Sequence, residues 1–206
     1  MGCPDSKRNG GSACRKRQRC LGLCGDIMIS MDDVIFTDGD KFFKKLEDRY
    51  IRHQKGLFIM SPSGTGKTYY CNNQEELNWI DGDELWIESR AQPDPSTEWW
   101  DKGLHVINRV EQRCDIVTAQ AVDKGFWILG SVNFWLKPDA LVIPDWEVLM
   151  GRIKQRQDSG EYDGGMKEEH KDQVKSHIEH GLMPWHTKHG VPIYKSIEEA
   201  VKQLTG

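Results

Sequence analysis

No stretch of this chain is apolar for long enough to cross a bilayer, so any membrane contact must come from an anchor or a surface patch. Tight C-x-x-C pairs are also missing: four of the six cysteines, Cys3, Cys14, Cys20 and Cys24, are irregularly spaced near the start, and Cys71 and Cys114 are scattered further on. With no secretory apolar segment before them, reduced thiols are expected rather than a disulfide scaffold; a structural zinc knot in the first segment is the alternative. Beyond the amino-terminal region acidic residues outnumber basic ones. Residues 1–25 hold Lys7, Arg8, Arg15, Lys16, Arg17 and Arg19 against one acid, Asp5, so the formal net charge of -4 leaves a distinctly acidic body. An acidic body without an aromatic-rich basic strand argues against nucleic acid as a partner.

What remains is ordinary for a globular domain: 206 residues, 29% charged and 37% hydrophobic, enough for one sizeable core. The eight tryptophans fall mostly on apolar runs or beside proline, as core and cleft-lining groups would.

Residues 61–68, Ser-Pro-Ser-Gly-Thr-Gly-Lys-Thr, match the phosphate-binding pattern G-x-x-x-x-G-K-[ST] except at Ser61, where the pattern has its first glycine. The run Leu57 to Met60 before it reads as a buried strand. Gly64 and Gly66 would let backbone N–H groups of Ser63 to Thr68 face a phosphate at a helix start. Lys67 would reach the terminal phosphates, and the Thr68 hydroxyl would complete a magnesium shell. A Ser/Gly/Pro loop that meets the pattern by chance lacks this combination of strand, lysine and hydroxyl.

The segment 1–26 is set apart as a basic, cysteine-containing arm, with a single domain over 27–206. Met1-Gly2-Cys3-Pro4-Asp5-Ser6 fits M-G-x-x-x-[ST], so Gly2 is a candidate myristoylation site and Cys3 a candidate second acylation site beside a basic stretch. The competing reading is a disordered tail. These readings expect a cytoplasmic protein, or one held on the cytoplasmic face of a membrane, with virion association a further option.

Along the body, helices are expected over 40–54, 67–73, 98–124, 146–156, 166–180 and 197–204, and strands over 57–60, 77–80, 126–129, 140–143 and 191–194. Their alternation predicts an α/β fold with a mainly parallel sheet covered on both faces, and ligands at the carboxyl ends of the strands.

The second feature is Asp81-Gly82-Asp83 after the second strand, which brings two carboxylates to the edge occupied by the 61–68 loop. One could orient or deprotonate an attacking hydroxyl while the other holds magnesium through water, Asp81 with Thr68 forming the metal pair. The same tripeptide at 38–40 is the turn reading of this sequence. Arg152 and Arg156, one helical turn apart, could close over a transferring phosphoryl group or simply solvate a helix. Arg90, Arg109 and Arg113, with Trp86, fall in the 84–113 segment and are candidates for binding the phosphate acceptor, against ordinary surface pairing. Trp79, Trp86, Trp99 and Trp100 could stack a base. His177, His180, His186 and His189 form a loose cluster that reads as exposed helix and loop histidines rather than a metal site.

Taken together, the strand, the Ser61-to-Thr68 loop, Asp81-Gly82-Asp83 and the Arg152/Arg156 helix resemble the small P-loop kinases, a group that includes nucleoside monophosphate, gluconate, shikimate and adenylylsulfate kinases. The resemblance covers about residues 55–204. It implies a three-layer P-loop NTPase fold with a five-stranded parallel sheet of order 2-3-1-4-5, ATP and Mg2+ as cofactors, an acceptor-binding insert at about 84–113 and a short lid at about 152–166. Asp81 or Asp83 would face the acceptor, and Arg152 and Arg156 would belong to the lid. The chain departs from the group where Trp86 replaces an acceptor-binding arginine or histidine, where the third strand ends in Gly130-Ser131 without an acid, and in the shortness of the lid and of the helix after the loop. The activity expected is ATP-dependent phosphoryl transfer to a small acceptor, a nucleoside monophosphate first and a sugar acid next. The alternatives are a kinase-derived nucleotide-binding protein of a membrane or virion assembly, with an assembly partner, and a polynucleotide 5'-kinase.

Overall fold

The computed structural model of the chain describes residues 39–93, 95–131, 135–160 and 165–206. The arm with Gly2 and Cys3, and residues 161–164 in the middle of the expected lid, lie outside the described residues.

The elements follow in the order α1 (Gly39–Arg49), β1 (Leu57–Met60), α2 (Lys67–Asn72), β2 (Trp79–Asp81), α3 (Gly82–Glu88), α4 (Leu104–Asp123), β3 (Trp127–Gly130), β4 (Ala140–Val142), α5 (Trp146–Asp158), α6 (Lys171–Ser176), α7 (Met183–Lys188), β5 (Ile193–Tyr194) and α8 (Ile197–Thr205). The strands form one five-stranded sheet of order β2-β3-β1-β4-β5, and each pairing in it is parallel. Helices flank it, giving the three-layer α/β architecture expected from the alternation of elements.

Strand residues point alternately to the two faces of a sheet, and here both faces are buried. Leu57 and Ile59 of β1 join Trp79, Leu129, Val142 and Ile197 in one core cluster, while Phe58 and Met60 join Ile80, Ile128, Leu141 and Leu149 in the other. That is why the strands read as unbroken apolar runs rather than as alternating patterns. The edge strand β5 is the exception: Ile193 is exposed, and Pro192 stands just before it, its carbonyl accepting from the Leu141 N–H at 2.9 Å.

Several helices depart from expectation: the one expected over 40–54 ends at Arg49, and α3 (Gly82–Glu88) is absent from the expected set. The one expected over 98–124 begins only at Leu104, because Glu98 (φ 48°) and Gly103 (φ 99°) take left-handed or extended positive-φ backbone and leave only 3-10 turns at Pro95–Thr97 and Trp99–Asp101. The helix expected to stop at His180 instead runs on through a π turn, His177–Leu182, into α7. Pro184 is accommodated in the first turn of α7, where its missing N–H is least costly.

Candidate functional site

The carboxyl ends of β1 and β2 open onto a cleft of about 920 Å³. Its floor is the loop from Ser63 to Thr68; Asp81, Asp83 and Glu84 stand on one side, and Arg152, Arg156, Ile197 and Glu198 line the remainder.

The loop is shaped by its two glycines and by what packs on them. Gly64 and Gly66 have φ of +86° and +100°, and a Cβ on Gly64 would lie 2.5 Å from Ile153 Cγ1 of α5. Side chains are excluded there both by backbone conformation and by the close approach of α5. Ser61 differs: it is buried, it has no positive φ, and its N–H donates to Gly130 O at 2.8 Å, continuing the β1–β3 ladder by one residue. The Thr65 hydroxyl donates to Pro62 O (2.8 Å) and closes the turn from inside.

Lys67 is buried, and its ammonium donates to Pro62 O at 3.2 Å and Ser61 O at 3.5 Å. Arg152 reaches from α5 to donate through Nη1 to Thr65 O at 2.6 Å, so the helix is tied to the loop. Arg156, one turn on, donates to Met166 O at 2.6 Å, joining α5 to the chain beyond 161–164.

The most specific contact lies between the loop and β2. The Thr68 hydroxyl donates to Asp81 Oδ2 at 2.6 Å, and Asp81 Oδ1 accepts from the Asp83 N–H at 3.0 Å. Asp81 is thus the N-cap of α3 and a partner of the loop hydroxyl at the same time, which directs Asp83 and Glu84, in the first turn of α3, to the cleft. Glu84 was not foreseen as a cleft residue. Its carboxylate accepts from the Tyr50 hydroxyl at 2.6 Å and from Arg49, so α1 braces this wall. Gln155, Ile197 and Glu198 also line the cleft; they carry no motif, and only the closing of α5 and α8 over the sheet brings them there.

The expected acceptor residues are distributed otherwise. Trp86 is fully buried in the core, its indole N–H donating to Thr118 Oγ1 at 2.9 Å. A Cβ on either Gly82 or Gly130 would come within 2.9 Å of the Trp86 ring, so these two glycines make the space for it. Trp79 and Trp99 are buried as well, and Trp100 is packed against the same core. Arg90, with φ 54°, and Arg109 are exposed, and Arg113 is half-buried on α4; none of the three lines the cleft.

The histidines are not all exposed. His186 lies on α7, fully buried, with neither ring nitrogen hydrogen-bonded, and burial followed by the charge of His189 pushes its pKa down to about 4. His177, in the π turn, is also pushed down to about 4, first by burial and then by the positive charge of Lys67. Among the described residues no group of three or more His, Cys, Asp or Glu is arranged to hold a metal.

Behind the Asp83 wall, α4 buries a second pair of acids one turn apart. Burial, and then the charge of Asp115, raise the Glu111 pKa to about 7. Because the folded pKa lies above the unfolded value, the folded state holds the extra proton between roughly pH 4.5 and 7, and stability falls as pH rises through that window. Glu111→Gln should therefore leave the melting temperature at pH 5 nearly unchanged and raise it at pH 8, by an amount worth up to about 3 kcal/mol. Thermal denaturation at the two pH values checks this.

No family model matches the chain, and no curated protein matches it. The architecture therefore carries the comparison. A parallel sheet of order 2-3-1-4-5, flanked by helices, places the 61–68 loop between its central strand and the following helix. The fold is P-loop-like. It is consistent with the P-loop NTPase superfamily, and in general with nucleotide-binding and phosphoryl-transfer proteins, without singling out one kinase family.

Proposed function

We propose that the chain binds magnesium-complexed ATP on the 61–68 loop and transfers its terminal phosphoryl group to a small acceptor. The observation that carries this reading is the 2.6 Å contact between Thr68 and Asp81 beside the buried Lys67. A hydroxyl and a carboxylate are hard oxygen donors, the set that magnesium takes when substrate phosphates and water complete its shell, so the residues present fit the ion. Bound between Thr68, Asp81 and the phosphates, magnesium would neutralise charge developing on the transferring group. Asp81 takes up a task that the end of β3, Gly130-Ser131, has no carboxylate to perform.

The N–H groups of Ser63 to Thr68 would receive the β- and γ-phosphates. Lys67 would leave the carbonyls of Ser61 and Pro62 for the phosphate oxygens, an exchange of neutral acceptors for charged ones. Arg152, already held at the loop by Thr65 O, needs little movement to meet a γ-phosphate, whereas Arg156 would act only by releasing Met166 O. Asp83 would face the acceptor as general base.

The test is the magnesium dependence of binding. Asparagine caps a helix as well as aspartate does, so Asp81→Asn should keep the fold while weakening magnesium-dependent binding of a non-hydrolysable ATP analogue roughly 10–100-fold. Isothermal calorimetry with and without magnesium reads this; equal magnesium dependence in both proteins would refute the metal role. A nucleotide-binding assembly protein is the second reading, favoured by the acid-free end of β3. It predicts analogue binding without acceptor-dependent ADP release.

A further inference from the structure

The sheet order sets where the two substrates lie along the cleft. The 61–68 loop follows β1 at the centre, α3 follows β2 at one edge, and α8 follows β5 at the other. Neighbouring strands are about 4.8 Å apart, so either wall stands roughly 10 Å from the loop, a span that a ribose and its base can bridge. With the acceptor facing Asp83 on the α3 side, the nucleoside of the donor extends to the α8 side. There α8 contributes Ile197 and Glu198, α2 contributes Tyr69 and Asn72, and Gln155 of α5 completes the wall. Ile197 is buried in one core cluster with Cys71, which gives a base an apolar floor. Tyr69, 74% exposed among the described residues, offers a ring face to stack on.

Glu198 is not what caps α8. Ser196 Oγ accepts from the Glu199 N–H at 3.2 Å, and Glu199 Oε2 accepts from the Lys195 N–H at 3.0 Å, so the start of the helix is held without it. Tyr70 shows which way Glu198 faces. After burial, the charge of Glu198 is the next cause that raises the pKa of the Tyr70 hydroxyl, so the carboxylate stands toward α2 and the cleft.

We propose that Glu198 reads the base of the phosphoryl donor and that this site prefers guanine to adenine. The proposal rests on the phosphoryl-transfer reading, keeps its phosphate and metal positions, and ranks GTP above ATP as the donor. An ionised carboxylate only accepts, through two oxygens side by side. Guanine presents two donors at that spacing, N1–H and the 2-amino group, so both oxygens are satisfied. Adenine presents its 6-amino group beside the N1 lone pair, so one oxygen gains a hydrogen bond while the other faces an acceptor. Gln155 and Asn72 carry amides, which donate and accept alike and so bind either base without ranking them. The transfer itself is unchanged. The acceptor oxygen bonds to the γ-phosphorus, its proton passes to Asp83 and then to solvent, and the bond to the β–γ bridging oxygen breaks with its electron pair leaving on GDP.

Calorimetry on the purified full chain, with magnesium and the β,γ-imido analogues of GTP, ITP and ATP, tests this. The GTP analogue should bind at least about tenfold tighter than the ATP analogue, the scale of one hydrogen bond to a charged group. The ITP analogue, which lacks the 2-amino group, should fall between them. Glu198→Gln keeps the side chain's volume and leaves the start of α8 held by Ser196 and Glu199, so melting should be unchanged. The preference for GTP over ATP should then fall to within about threefold of unity, because the amide turns a donor toward guanine's own donors. Tyr69→Ala should weaken all three analogues at least about fivefold and leave inorganic tripolyphosphate unaffected. An ATP analogue that binds as tightly as the GTP analogue overturns the proposal, as does a preference that survives Glu198→Gln. A wild-type chain that binds neither the analogues nor tripolyphosphate is a different result: it removes the phosphate site itself, and the base reading with it.

Discussion

Lys67→Ala is expected to lower phosphoryl transfer about 10²–10³-fold, the scale seen when one preorganised donor to a developing charge is removed. The fold should survive. Lys67 is buried and bonded to two loop carbonyls, but those carbonyls belong to a loop held independently by the Thr65–Pro62 hydrogen bond, the Ser61–Gly130 ladder bond and Arg152 on Thr65 O. The variant should therefore melt within a few degrees of the parent and lose affinity for an ATP analogue. His177 supplies an independent readout. Part of the depression of its pKa comes from the charge of Lys67, so that pKa should rise in Lys67→Ala, and an NMR titration of the His177 ring would report it. Full activity of the variant in pure protein would rule out the loop as the phosphate site.

The second large effect is on stability. Trp86→Ala should cost about 3–5 kcal/mol, the range for emptying a large aromatic site in a core. For a domain of this size that is a fall in melting temperature of roughly 10 °C. The ring fills the space left by Gly82 and Gly130 beneath the ends of β2 and β3, beside strand backbone and the Phe58 ring. Trp86→Phe separates a core role from an acceptor-binding one. It keeps most of the volume but leaves the Thr118 hydroxyl without its indole donor, a loss of about 1 kcal/mol. A core residue predicts lower stability with an unchanged KM for the acceptor; a raised KM at unchanged stability would restore Trp86 to the cleft.

Trp86 also shows where the sequence stopped being legible. The loop and the strands can be read because each depends on contiguous residues, Leu57 to Met60 to the residue and the other strands within two, whereas the sheet order is implied only by the resemblance to the small P-loop kinases. Asp81 could be placed at the loop because a strand end fixes it. By contrast, whether an aromatic residue on α3 faces the cleft or the core depends on Gly130, more than forty positions away and on another strand. The three arginines of the 84–113 segment have the same difficulty. Helical spacing puts Arg109 and Arg113 on one face but does not say which way that face turns, and the left-handed residues at Arg90 and Glu98 redirect the chain before α4 begins. His186 reads as a loop residue beyond a helix expected to end at His180; a π turn carries the helix on into α7 and buries the ring. Glu84 was within reach of the reading, since it directly follows Asp83 in the first turn of α3, yet its bracing by Tyr50 and Arg49 is long-range.

Ser61 bears on how such loops are recognised at all. A glycine in the unfolded chain samples far more backbone conformations than a serine, and confining it to an ordinary strand-like geometry forfeits that freedom, at a cost of about 0.5–1 kcal/mol. At position 61 the backbone asks for no positive φ, so Ser61→Gly would loosen the denatured chain and gain no geometry in return. Glycine is a requirement of dihedral angle at 64 and 66 but not at 61, so a pattern that demands glycine at its first position asks for a residue that this backbone does not need.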